Sequence, residues 1–119
     1  FMSVFFEIKK NISLKKINKK NCLIVKNAIS KFIKVKINIK HPNDLLIKKE
    51  KICGILQETL TFYNKKFMIV GIGLNISNNP NINNYPTTFL CKYSKKKVSK
   101  LLVFMKIKEL YEKQLNYLK

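Results

Sequence analysis

The chain has 119 residues, of which 46% are hydrophobic, and its formal net charge is +19. This length is sufficient for one hydrophobic core, and no composition shift indicates a second domain. All 25 basic residues are lysine, whereas arginine is the residue that binds a phosphate through two parallel hydrogen bonds. The composition therefore argues against a nucleic-acid-binding protein, although a basic binding module remains an alternative.

The first part of the chain predicts a strand, a polar connection and a helix. Residues 1–8 are β-branched and aromatic, as in a strand, and residues 9–20 are a lysine-rich connection. Asn21 is expected to cap the helix that follows. The apolar positions of this helix recur at three- and four-residue intervals, at Leu23, Ile24, Ala28, Ile29, Phe32 and Ile33.

The middle of the chain predicts short strands joined by tight turns. Residues 34–40 alternate apolar and polar side chains with the period of a half-buried strand. Pro42, Asn43 and Asp44 then form a turn, because this composition is typical of turns. A hairpin follows, with strands at residues 45–47 and 51–62 and a turn at 48–50, and the next strand is at residues 66–76.

The last part predicts an irregular loop and a second helix. Residues 77–86 contain five asparagines and two prolines, which is typical of a surface loop. Ser94 is expected to cap the helix, whose apolar stripe is Leu101, Phe104, Ile107, Tyr111, Leu115 and Leu118. The element order predicts an α+β domain in which helices cover one face of a mostly antiparallel or mixed sheet.

The strand at residues 66–76 has two different faces. With a period of two, its even positions from 68 to 76 form an apolar row for the core. Gly71, Gly73 and Asn75 share the opposite face, where bare backbone would let a flat ligand lie against the sheet. Taken alone, the two glycines are more typical of a bulge or of a close-packed helix than of a ligand site. They are not a dinucleotide fingerprint, because Ile76 stands where a third glycine is required.

Three blocks occur in a fixed order along the chain. Residues 40–44 read Lys-His-Pro-Asn-Asp, residues 51–58 read Lys-Ile-Cys-Gly-Ile-Leu-Gln-Glu, and residues 71–75 read Gly-Ile-Gly-Leu-Asn. Together they resemble the central motifs of biotin protein ligases, with His41 where tryptophan is usual. The resemblance covers nearly the whole chain and implies the fold of the biotin and lipoate ligase catalytic domain.

The resemblance also implies roles for individual residues. Lys51 and Lys40 would be catalytic, with Lys51 contacting the biotin carboxylate and the α-phosphate. Asn43, Asp44 and Asn75 would serve ATP, and Asp44 could also bind Mg²⁺. Strand parity places Lys51 and Gly54 on opposite faces, so a bulge, or approach of the ligand from the strand end, would be needed for both to contact one ligand. The biotin-binding set implied by the resemblance is Lys51, Gly54, Leu56, Gly71 and Gly73.

The activity implied by the resemblance has two steps. Biotin and ATP form biotinyl-5'-AMP, and the biotinyl group then passes to a lysine of a biotin carboxyl carrier protein. Residues 1–119 would be a partial catalytic domain, without the Gly-Arg-rich phosphate loop that precedes these motifs in the family and without the small C-terminal domain. We therefore expect the chain alone to be catalytically weak, and the sequence leaves a homodimer open.

Three other functions are open at this point. The first is a lipoate ligase or octanoyltransferase, the second a non-catalytic remnant that docks a carrier domain, and the third the basic module. Cys22, Cys53 and Cys91 form neither a disulfide framework nor a zinc motif, which fits the reducing cytoplasm. No apolar run reaches the roughly 20 residues that span a bilayer, so no membrane partner is expected.

Overall fold

The computed structural model describes residues 1–80 and 85–118 of the chain. The elements in chain order are β1 (Met2–Ile8), α1 (Leu14–Ser30), β2 (Asn38–Lys40), β3 (Asp44–Ile47), β4 (Glu50–Phe62), β5 (Lys65–Leu74), a short 3₁₀ turn (Leu90–Lys92) and α2 (Lys100–Leu118). The predicted loop at 77–86 falls partly on residues 81–84, which lie outside the described residues. The side chain of Leu118, the last position of the predicted stripe, does so too.

The five strands form one antiparallel sheet in the order β1-β5-β4-β3-β2. Both helices contact the same face of this sheet. From α2, the Tyr111 ring packs on Phe6 of β1 with their centroids 5.9 Å apart. From α1, the Asn21 amide donates a hydrogen bond to Gln57 Oε1 of β4 over 2.7 Å. The predicted α+β class is therefore confirmed, with helices on one face and the other face open.

The predicted start of the first helix is wrong. The helix begins at Leu14, where the Ser13 hydroxyl accepts a hydrogen bond from the Lys16 N–H. Asn21 does not cap the helix but lies in its middle, fully buried. Lysine is a good helix former, so the lysine-rich run forms the first turns of the helix. Ile17, which is buried, attaches these turns to the core. The helix ends at Ser30, before Phe32 and Ile33.

The predicted cap of the second helix is also wrong. The Ser94 hydroxyl donates to the Lys96 carbonyl in a turn. Ser99 lies at the start of α2 instead, because its hydroxyl accepts from the Leu102 N–H and its carbonyl from the Val103 N–H. The apolar stripe shifts accordingly: Leu101 is 68% exposed, and Val103 takes the buried position. Ile107 and Tyr111 are buried as predicted.

The predicted strands are confirmed in number but differ in extent. Only Asn38–Lys40 of the predicted strand at 34–40 pairs with a neighbour, and Asp44 opens β3 rather than ending a turn. Both hairpin turns use two residues with positive φ, Lys48 and Lys49 in one and Tyr63 and Asn64 in the other, as twisted two-residue hairpins require. In the described part of the chain, no helix is long and apolar enough to cross a membrane.

Candidate functional site

Two adjacent strands carry glycines on the face of the sheet that the helices leave uncovered. The even positions of β5, from Met68 to Leu74, and Ile76 after the strand are buried in the core, as the alternation predicts. Gly71 and Gly73 therefore point to the open face, and Gly54 of β4 pairs directly with Gly73. These are all three glycines of the chain. We call this patch the glycine platform.

The glycine platform is not explained by backbone conformation. No glycine has a positive φ, and the positive-φ turn positions are occupied by lysine, tyrosine and asparagine instead. A Cβ at Gly73 would meet only ordinary contacts, with the Gly54 carbonyl oxygen at 3.8 Å and the Phe1 ring at 4.0 Å. A Cβ at Gly71 would lie 3.1 Å from the Phe1 ring, and one at Gly54 would lie 3.2 Å from the end of Lys51. The glycines therefore do not serve a tight turn, and they leave room against the sheet that the Phe1 ring and the end of Lys51 partly fill.

A bulge brings Lys51 to the same face as the glycine platform. Leu45 of β3 pairs with Cys53, but Leu46 pairs with Lys51, so β4 holds one extra residue at this point. Ile52 and Cys53 are consequently both buried in the core. The bulge that strand parity requires is present. As a result, Lys51 Nζ lies 3.2 Å from the position that a Cβ on Gly54 would occupy.

Asp44 forms an ion pair with Lys51. Its Oδ1 is 3.3 Å from Lys51 Nζ, and the side chains are 31% and 28% exposed. Asp44 stands opposite Gly54 in the β3–β4 pairing, which explains why its carboxylate reaches the same spot. The pair leaves the ammonium partly open to solvent, and a partly exposed ammonium remains able to attract an anionic ligand.

A cleft of about 390 Å³ opens above the platform, within the size range of small-molecule sites. Its lining includes Gly54 and Gly73 of the platform, Lys51 and Asn75, and the aromatic residues Phe1 and Tyr85. The Tyr85 ring centroid is 5.5 Å from Lys51 Nζ. The cleft therefore combines bare backbone, the Lys51 ammonium and aromatic side chains.

The structure places the predicted site residues at different distances from the cleft. Lys51, Gly54, Gly73 and Asn75 line it. Leu56 and Gly71 form the next cross-strand pair along the platform, where the Phe1 ring approaches Gly71. Asp44 reaches the cleft through its ion pair with Lys51. Lys40 is exposed beside Asp44 in the β2–β3 pairing, and the Asn43 carbonyl accepts from the Ile55 N–H, so neither of these lines the cleft.

Asn75 has a structural task besides any ligand contact. Its side-chain amide donates to the Thr88 carbonyl over 3.1 Å, and its N–H donates to the Ile52 carbonyl. The segment it holds runs beside the start of β4, where Thr87 forms a parallel bridge with Lys51. The Thr88 hydroxyl is buried and has no hydrogen-bond partner.

The sequence does not identify Tyr85 as a site residue. Its pattern places Tyr85 only in the irregular loop at residues 77–86, since no periodic pattern links that loop to a strand more than thirty residues earlier. The one available signal was an isolated aromatic residue in an asparagine-rich segment, which alone does not locate a site.

The other candidate chemistries are poorly supported. Burial raises the pKa of Cys53 to about 12, and burial followed by the charge of Asp44 raises that of Cys22, so neither thiol is an activated nucleophile. Among the described residues, no three His, Cys, Asp or Glu side chains are grouped to hold a metal ion. Asp44 could therefore supply only one ligand of a metal.

Several solved structures share this fold. Biotin protein ligase from Aquifex aeolicus in complex with biotin and ATP aligns with 96% of this chain at 25% identity and a TM-score of 0.75. The Leishmania major ligase in complex with biotinyl-5-AMP aligns with 98% at 16% identity and a TM-score of 0.75. P. falciparum LipL1 in complex with lipoate aligns with 97% at 16% identity and a TM-score of 0.65.

The chain spans only part of these proteins. It covers 48% of the Aquifex aeolicus chain, 55% of the Leishmania major chain and 35% of LipL1. No curated protein sequence matches it significantly. The sequence model of the biotin/lipoate A/B protein ligases matches residues 2–76, which is more than half of the chain. With the fold, the glycine platform and these matches in agreement, the chain belongs to the biotin/lipoate A/B protein ligase family.

Proposed function

We propose that this chain is part of an ATP-dependent ligase that forms biotinyl-5'-AMP and transfers biotin to a lysine of a biotin carboxyl carrier protein. The observation that carries the proposal is the placement of all three glycines of the chain on one patch beside the ammonium of Lys51. Glycines that serve no turn leave room for a flat ligand, and Lys51 supplies a cation for its acidic end.

The first step brings two anions together. A biotin carboxylate oxygen attacks the α-phosphorus of ATP, an acyl-phosphate bond forms, and pyrophosphate leaves. Lys51, at the edge of the platform, would contact both the carboxylate and the α-phosphate. Its positive charge offsets their repulsion and stabilises the negative charge that develops in the transition state.

Gly54, Gly71, Gly73 and Leu56 would form the surface against which the bicyclic ring and chain of biotin lie. Asn75 and Asp44 would serve the nucleotide side. Mg²⁺ carried on the ATP phosphates would add charge neutralisation there, and Asp44 fits the role of a single carboxylate ligand, since such ions usually take one or two from the protein. Lys40 and Asn43, which lie outside the cleft, would act only from its margin.

The second step needs an amine from the partner. The lysine of the carrier protein attacks the acyl carbon, an amide bond forms, and AMP leaves with the bonding electrons. The open face of the sheet leaves the cleft accessible to such a partner. Because the chain spans about half the length of the ligases it matches, we expect the 119 residues alone to be catalytically weak.

The test uses the protein expressed from its complete reading frame, with ATP, Mg²⁺, an acceptor carrier domain and either biotin or lipoate. We expect the acceptor to gain the mass of one biotinyl group. Lys51→Ala should abolish the gain, whereas Lys15→Ala, at an exposed lysine of α1, should leave it unchanged. A gain with lipoate alone would show a lipoate ligase, and no gain with either would leave a remnant or a binding module.

A further inference from the structure

Lys51 has two different side-chain partners. Asp44 Oδ1, on β3, is 3.3 Å from its ammonium. The centroid of the Tyr85 ring is 5.5 Å away, within the range in which an aromatic ring attracts a cation. Because Lys51 pairs with Leu46 of β3 on one edge of β4, the segment that contains Thr87 pairs with Lys51 on the other edge.

The backbone of Lys51 itself fixes the position of Tyr85. The Lys51 N–H donates to the Pro86 carbonyl over 3.0 Å, and the Lys51 carbonyl accepts from the Thr88 N–H over 2.9 Å. Pro86, which follows Tyr85, is thus hydrogen-bonded to Lys51, whose ammonium lies near the Tyr85 ring. A shift of this segment would therefore move the ring and the lysine together.

Thr87 provides further anchors for the segment. Its hydroxyl donates to the Pro80 carbonyl over 2.8 Å and accepts from the Asn79 amide over 2.7 Å. The Asn75 amide holds the Thr88 carbonyl next to it. The chain on both sides of Thr87 is therefore tied to the end of β5 and to the start of β4, although Tyr85 itself is 43% exposed.

The two partners act differently on the ammonium. A carboxylate neutralises the cation and competes with an anionic ligand for it, whereas the face of an aromatic ring attracts the cation without carrying a net charge. With Asp44 alone, the flexible lysine stem would follow the carboxylate toward β3. The ring on the opposite side counteracts that pull and keeps the ammonium directed into the cleft.

We propose that Tyr85 is a positioning residue for Lys51, whose ammonium it holds above Gly54 for the anionic group of the ligand. The effect of Tyr85 on ligand binding rests on the proposed function, whereas the position of its ring beside Lys51 does not. It predicts that the aromatic ring is required and the hydroxyl is not. Tyr85→Phe and Tyr85→Leu separate these two properties, because both remove the hydroxyl and only the second removes the ring.

The first measurement does not need a ligand. In the protein expressed from its complete reading frame, the Lys51 Hε–Cε signal is identified in a ¹³C-resolved NMR spectrum by its loss in Lys51→Ala. We expect this signal to be shifted upfield relative to the exposed Lys15 by the ring current of Tyr85. The shift should persist in Tyr85→Phe and disappear in Tyr85→Leu, while Tyr63→Leu, at the exposed hairpin tip, should not change it.

The second measurement is the affinity for biotin by titration calorimetry. We expect Tyr85→Phe to match the wild type and Tyr85→Leu to bind about 5-fold more weakly, as loss of a partly exposed cation–π contact implies. An unchanged Lys51 signal in Tyr85→Leu would overturn the inference, as would an equal change in Tyr63→Leu or an unchanged affinity of Tyr85→Leu. If the wild type binds no biotin, the proposed function fails, and the NMR result alone decides the role of Tyr85.

Discussion

Lys51 and Gly54 meet on one face of the sheet: the amine of Lys51 lies 3.2 Å from the position of a Cβ on Gly54. The bulge at Ile52 and Cys53 produces this contact, since an unbroken strand would direct residues 51 and 54 to opposite faces. The space left by the missing side chain at residue 54 is therefore part of what allows the lysine to reach the cleft.

Gly54→Ala should separate folding from ligand binding. The new methyl group would meet the flexible end of Lys51, which can move away, so the free energy of unfolding should change by less than about 1 kcal/mol. The displaced ammonium should lower the affinity for biotin about 10-fold. Thermal unfolding and calorimetry check the two effects. A Gly54→Ala protein that binds biotin like the wild type would show that the position of Lys51 is not limited by this space.

Asp44→Asn should affect catalysis more than stability. The ion pair with Lys51 is partly exposed, and pairs of this kind contribute roughly 0 to 1 kcal/mol. Urea unfolding should therefore be nearly unchanged, while transfer of biotin to the carrier, followed by mass spectrometry, should become slower. The matched control is Glu112→Gln, which removes an exposed pair with Lys108 on α2. Equal rates of biotin transfer in the two variants would show that Asp44 has no role at the site.

Tyr111→Phe should destabilise the fold without touching the site. The Tyr111 hydroxyl donates to the Asn21 amide oxygen over 2.9 Å, and the Asn21 amide donates to Gln57. Without the hydroxyl, a fully buried oxygen loses its partner, which costs about 1 to 3 kcal/mol. Urea denaturation measures this loss. Tyr63→Phe, at an exposed tyrosine, is the control, and a similar midpoint for both variants would contradict the expected cost.

Cys53 should make the protein less stable in alkali. Its pKa is raised from 9.0 to about 12, first of all by burial. Below pH 9 the thiol is protonated in both states, and above it the unfolded state loses the proton first, so stability falls as pH rises toward 12. Between pH 8 and 10 this contribution is about 1 kcal/mol.

The comparison that isolates this effect is Cys53→Ala. The smaller side chain lowers stability by a constant amount at every pH, because it leaves a cavity. The difference between wild type and variant, measured by urea unfolding from pH 7 to 10, should therefore shrink above pH 9. A constant difference across that range would show that the buried thiol does not titrate as expected.

The sequence predicted local periodicity well and long-range contacts poorly. The alternation in β5 located the apolar row and the two glycines correctly, because parity is a property of one strand. Asn21 was misplaced because it is buried through partners 36 and 90 residues away, and a short polar residue otherwise looks like a helix cap.

The same difference between local patterns and long-range contacts applies to the candidate site. The motif blocks located Lys51, Gly54 and Gly73, all of which line the cleft. Parity showed that a bulge was required but could not show where β4 takes its extra residue. The pairing of Thr87 with Lys51 joins segments with no shared pattern, so Tyr85 could be placed only once the chain was folded.

The bulge in β4 makes the number of residues between Lys51 and Gly54 more important than their identity. Ile52 and Cys53 both face the core, so other apolar side chains of similar volume could fill those positions at modest cost. Removing either residue would instead restore the two-residue alternation, which keeps positions 51 and 54 on one face but shortens the strand between them by one residue. The length of this segment therefore sets how far along β4 the lysine lies from Gly54, and one deletion there would change that spacing while Lys51 and Gly54 both remained in the sequence.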